Sequence, residues 1–119
     1  MRRFAITLFV LLAPTPAFAF GALACGRTLD NQHWYCASSY NDSTEAQAHA
    51  EALAVCKNES SSCRIFSDFS NECIAAANDG GFIITAHAPT IQAAREKVCD
   101  GHGSECKPFN AQCDPYDPD

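Results

Sequence analysis

The sequence predicts an α+β domain stapled by disulfides: five to six short strands and two helices packed on one face, arranged as internally duplicated β-α-β units. Three observations carry this. Eight cysteines fall in the last 100 or so of 119 residues, a density that reads as a disulfide framework in an oxidising compartment. Two alanine-rich stretches each end in a cysteine, Cys56 and Cys99, and each is followed at the same short interval by another, Cys63 and Cys106. Finally, Cys36-Ala37-Ser38-Ser39-Tyr40-Asn41-Asp42 and Cys73-Ile74-Ala75-Ala76-Ala77-Asn78-Asp79 share one pattern: a cysteine, four small or aromatic residues, then Asn-Asp.

The elements follow in order. His33 to Tyr40 is aromatic and small, and suits a strand. Asp42 and Glu45 have the spacing of a capping box, and Ser43 to Cys56 is then rich in strong helix formers. Ala46, Ala50 and Leu53 are predicted to form its packed face. Cys63 to Phe69 alternates as a strand, Ser70-Asn71-Glu72 turns, and Cys73 to Ala77 pairs back. Asn78-Asp79-Gly80-Gly81 suits the positive φ of a tight hairpin, which leads into a strand from Phe82 to Ala86. Pro89 suits a helix start, with Ile91, Ala94 and Val98 on one face, and Cys106 to Phe109 closes the sheet.

The N-terminus has its own logic. Arg2 and Arg3 precede an apolar run from Phe4 to Ala13, then Pro14 and Pro16, then Ala17-Phe18-Ala19. A charged start, a short apolar core and a small-x-small site are the parts of a secretory signal, and the run is short of the roughly 20 residues a spanning helix needs. The residues after Arg2-Arg3 do not match a twin-arginine signal. Lipidation at Cys25 would leave an odd number of cysteines. The expected organisation is residues 1–19 as signal peptide, 20–113 as a single domain and 114–119 as a disordered acidic tail, with the product periplasmic or secreted and without a stable membrane anchor.

Without Arg2 and Arg3, six Lys and Arg face fourteen Asp and Glu, which takes the net charge from −6 to −8. That argues against nucleic acid and anionic membranes, both of which select basic surfaces.

From Trp34 to Cys113 the landmarks resemble a family known as bacterial domain of unknown function 4189. The matching features are Trp34-Tyr35, the helix ending in Cys56, and Cys63-Arg64-Ile65-Phe66. Phe69-x-Asn71-x-Cys73-x-Ala75-Ala76, the helix ending in Cys99, and Cys106 and Cys113 follow in the same order. The resemblance implies export and a β-α-β repeat fold. It brings no established activity and no catalytic residues. The sequence departs from the family pattern in having Cys36, with Cys25 before it, and in lacking a glycine-rich opening strand.

Spacing and repeat symmetry narrow the cysteine pairing. A short helix-to-strand turn brings Cys56 to Cys63 and Cys99 to Cys106; Cys73–Cys113 would tie the last strand to the sheet centre, and Cys25–Cys36 remains. Loop-closure entropy assigns roughly 2.5 kcal/mol to each short loop and about 4 kcal/mol to Cys73–Cys113. With a core made largely of alanine, these links are expected to decide folding.

Residues that could carry chemistry are scattered. No CxxC pair occurs, which disfavours structural zinc. With all eight cysteines paired, no thiolate is left to act as a nucleophile, and no Gly-x-Ser-x-Gly elbow presents a serine. His49 reads as a solvated helix face and His33 as strand-end packing, while His87 and His102 lack a partner at ligand spacing. Glu51, Asp68, Glu72 and Asp79 could serve a carboxylate pair, yet nothing in the sequence brings two of them together. Asp114, Asp117 and Asp119 lack calcium-loop spacing. The expectation is a non-enzymatic exported protein, without cofactor or metal, that binds a protein partner, specifically a periplasmic inhibitor or immunity protein of a secreted toxin or hydrolase. The alternatives are a small extracytoplasmic hydrolase and a secreted factor acting on a host cell.

Overall fold

The opening segment is a strand after all. In the computed structural model, which describes residues 20–115, Phe20–Arg27 forms a strand, β1, ahead of the first strand that the residue pattern predicts. Its residues Gly21 to Gly26 are buried on both faces, so no polar alternation marks it, as happens for central strands covered on each side. The predicted signal peptide at residues 1–19 lies outside the described residues.

The other elements are β2 (Trp34–Asp42), α1 (Glu45–Cys56), β3 (Arg64–Phe69), β4 (Glu72–Asp79), β5 (Phe82–Ala88), α2 (Ile91–Val98) and β6 (Cys106–Asp114). Among the described residues the strands form two antiparallel sheets, ordered β2-β1-β3 and β5-β4-β6. Strand, strand, helix, strand recurs in each half, with the first strand of the four at the centre of its sheet. The Cys36 and Cys73 segments therefore do not correspond: one is an edge strand and the other a central one.

The helices do not share a face. Ala22 and Ala24 of β1 and Ala37 of β2 pack against Ala48, Ala52 and Cys56 of α1. Cys73, Ala75 and Ala77 of β4 pack against Ile91, Ala94 and Val98 of α2. Between the sheets lie Leu23, Cys25, Cys36, Phe69, Ile74 and Ala76. The result is four layers, helix, sheet, sheet, helix, with β2 over β6 and β3 over β5. The small side chains of β1 and β4 are what let a helix and a second sheet approach one strand from both sides.

Local expectations shift with this arrangement. The N-cap of α1 is Thr44, whose hydroxyl accepts from the Gln47 N–H at 3.1 Å, so Asp42 and Glu45 do not form the capping box; Asp42 is buried at the end of β2. Ala46 and Ala50 are exposed, and Ala48, Ala52 and Cys56 take the packed face. On α2 the expected face of Ile91, Ala94 and Val98 is the buried one, with Thr90 as N-cap. The last strand runs beyond Phe109 to Asp114, which is fully buried and so belongs to the domain rather than to a frayed tail. Residues 116–119 lie outside the described residues.

Four disulfides cross-link these layers. Cys56–Cys63 and Cys99–Cys106 tie each helix end to the strand that follows. Cys25–Cys36 joins β1 to β2, and Cys73–Cys113 joins β4 to β6 at directly opposed positions.

Candidate functional site

Two regions collect the side chains that bear chemistry. The first is the β4–β5 hairpin and the open end of the sandwich beside it. Gly80 and Gly81 both have positive φ, 62° and 96°, so the two-residue turn takes the conformation that only glycine and a few polar residues tolerate. Three contacts brace it. Gly81 N–H donates to the Asn78 side chain at 2.9 Å, Trp34 Nε1–H of β2 donates to the Gly81 carbonyl at 3.0 Å, and His102 Nδ1 pairs with Asp79 at 2.7 Å. The turn is thus fastened to the other sheet and to the α2–β6 loop. It presents Phe82, which is 74% exposed, with Phe109 of β6 43% exposed.

Behind the hairpin, Trp34 meets the edge of Phe66 with ring centroids 5.9 Å apart. Arg27 lies 5.3 Å over the Trp34 ring and Arg64 lies 4.2 Å over Phe66. A shallow cleft of about 270 Å³ opens here, lined by His33, Trp34, Asn78, Lys107 and Phe109. In the adjoining β1–β2 loop, the Thr28 hydroxyl, and after it the Gln32 N–H, hold the Asp30 carboxyl below the ordinary aspartate range.

The second region is the edge strand β3. The β1–β3 register shifts between Leu23 and Ala24, a bulge that lets Phe66 and Ser67 both face the second sheet. Ser67 Oγ then lies 2.9 Å from His87 Nε2 on β5, and His87 Nδ1 lies 2.8 Å from Glu72 at the start of β4. This is the connectivity by which an acid orients a histidine and the histidine a hydroxyl. Asp68, on the other face of β3, pairs with His49 of α1, and the Glu45 carboxylate comes within 4.8 Å of both. Glu45, Asp68 and Glu72 line one shallow cleft of about 180 Å³ with Phe20, Gly21, Phe69 and Ser70.

A buried acid group lies beyond that cleft. Asp114 is 0% exposed and Asp42 6% exposed. The Asp114 carboxylate accepts from the backbone N–H groups of Asn41 and Asn71, but burial dominates and pushes its pKa up, with Asp42 adding to the rise. Glu51 is also pushed up, first by desolvation and then by Asp42, which shares a hydrogen bond with it.

The structure thus couples Asp68 and Glu72 to histidines and brings them to one cleft, which spacing did not foretell. His49, His87 and His102 each hold a carboxylate partner, 19, 15 and 23 residues away in sequence. Ser67, Trp34 and Phe82 are functional candidates that sequence reasoning passed over. The exposed phenylalanine directly after a double glycine was the one local signal available.

The family described as Domain of unknown function (DUF4189) matches residues 20–113. The chain belongs to that family, and the match spans both sheets, both helices and all eight cysteines. No curated protein and no solved structure matches the chain.

Proposed function

We propose that this chain is an exported protein that acts by binding another protein, and that the β4–β5 hairpin is its contact element. The observation that carries this is Phe82: a large apolar side chain, 74% exposed, on a turn braced from three sides. An exposed aromatic whose backbone is already ordered loses little entropy on binding, and rigid aromatic anchors dominate protein interfaces. In its specific form the protein is a periplasmic inhibitor or immunity protein, with the hairpin entering the cleft of a secreted toxin or hydrolase. Four disulfides and the start of the family match at residue 20 support export with removal of residues 1–19. The recurrence of strand, strand, helix, strand supports duplication of one unit, and the double-glycine turn lies in the second copy.

The test is capture of a partner from the envelope fraction of the producing bacterium by the oxidised protein. Phe82→Ala and Phe109→Ala should lose it, Glu96→Gln on the exposed side of α2 should keep it, and the captured enzyme or toxin should be inhibited stoichiometrically. Equal capture by Phe82→Ala would remove the hairpin from the reading.

A second reading, a small extracytoplasmic hydrolase, is favoured by the Ser67–His87–Glu72 array. There His87 would take the Ser67 proton as the oxygen attacks an ester or amide carbonyl and pass it to the alcohol or amine that leaves. Water would then release the acyl group from Ser67, and Glu72 would hold the imidazole. A serine-directed fluorophosphonate should then label Ser67, and His87→Ala should abolish labelling. Absence of labelling in the folded protein would dismiss this reading.

A further inference from the structure

We propose that Glu45, His49 and Asp68 form a binding site for a divalent transition-metal ion of the zinc class. Glu45 and His49 are one helical turn apart, so their side chains leave α1 on the same side, and Asp68 reaches them from the neighbouring strand β3. One ligand atom from each of the three lies within 4.8 Å of the other two. An ion with tetrahedral bonds of about 2.0–2.1 Å holds its ligand atoms roughly 3.3 Å apart. The required adjustment is therefore small, and His49 and Asp68, 35% and 45% exposed, have room to make it.

The donor set selects the ion. Two carboxylates neutralise a divalent charge, and an imidazole nitrogen favours zinc, copper or nickel over magnesium and calcium, which prefer oxygen alone. Three protein ligands on an exposed edge leave a position for water, the composition of an open site rather than a closed structural one. The scaffold is fixed before any ion arrives. The Cys56–Cys63 disulfide ties the end of α1 to the start of β3, the two elements that carry the ligands, and Thr44 caps the first turn, where Glu45 sits. Preorganisation of this kind lowers the ordering cost of binding.

The experiment is calorimetric titration of the oxidised, chelator-treated protein with zinc chloride, with calcium chloride in parallel. One zinc ion should bind per chain, and calcium at the same concentration should not displace it. His49→Gln should weaken binding by about 100-fold or more, and Glu45→Gln and Asp68→Asn by at least about tenfold, since even outer partners of a metal ligand are worth 10- to 100-fold. Zinc should shift the ring resonances of His49 and leave those of His33, His87 and His102 in place. If His49→Gln does not fold, Glu45→Gln and Asp68→Asn, which keep side-chain size, decide the matter. No saturable binding, equal affinity in the wild type and all the variants that fold, or shifts confined to another histidine would each overturn the proposal and leave His49–Asp68 a plain hydrogen-bonded pair.

Discussion

Trp34 on the edge of the first sheet donates its indole N–H to the carbonyl of Gly81 at the hairpin tip of the second, at 3.0 Å. The bond spans 47 residues of sequence and closes one end of the sandwich over the Trp34–Phe66 contact. Trp34→Phe keeps an aromatic ring and removes the donor. We expect amide exchange at the hairpin tip to speed up by roughly 5- to 10-fold, the equivalent of one hydrogen bond of about 1 kcal/mol, while exchange in β1 and β4 stays protected. Exchange rates at Gly81 and Phe82 equal to wild type would show that the turn holds itself.

Gly21 is a packing requirement. A Cβ there would stand 2.7 Å from the Ser39 carbonyl and 2.8 Å from the Phe69 ring, and the carbonyl, part of the sheet, cannot move aside. Gly21→Ala should cost about 1–3 kcal/mol, which thermal melting reads as a drop of several degrees. Gly103→Ala, where nothing lies within 4 Å, should leave the midpoint close to wild type.

The cross-links should differ in weight. Cys73–Cys113 closes a separation of 40 residues and Cys25–Cys36 one of 11. Loop-closure entropy assigns about 4 and about 2.8 kcal/mol to them, so replacing the first pair by serine should lower the denaturant midpoint more than replacing the second. The reverse order would mean that packing of Cys25 between the sheets outweighs chain entropy.

Asp114 should make stability depend on pH. Its folded-state pKa is raised, chiefly by burial, so the folded chain holds this proton more tightly than the unfolded one. The carboxyl's contribution is therefore complete below the ordinary aspartate range and is lost as pH rises through the folded-state pKa. Asn is neutral throughout and keeps an oxygen for the Asn41 and Asn71 N–H groups. Asp114→Asn should be more stable than wild type at pH 7, with the gap narrowing as pH falls toward 4. A gap that is independent of pH in thermal melts would disprove the assignment.

Cysteine density and the two alanine-rich segments determined, without coordinates, that this is a disulfide-stapled α+β domain, because cysteine content and helix propensity are properties of composition and of short segments. The face of α2 was legible too: Ile91, Ala94 and Val98 stand out from Arg95, Glu96 and Lys97. The face of α1 was not. Alanine occupies positions 46, 48, 50, 52 and 54, so no stripe at helical spacing distinguishes one side, and only contact with Ala22, Ala24 and Ala37 selects Ala48 and Ala52.

β1 escaped for a related reason. A strand buried on both faces shows no alternation, and Gly-Ala-Leu-Ala continues the apolar composition of the segment before it. The division into two sheets follows from β1, since each half needs its own central strand before a helix can cover one face and the other sheet the second. The pairs His49–Asp68, Ser67–His87 and Trp34–Gly81 depend on register, on a bulge and on which faces meet. Residue types determine that such bonds are chemically available. Only the packing of four layers determines which of them form, because each joins elements that no local preference brings together.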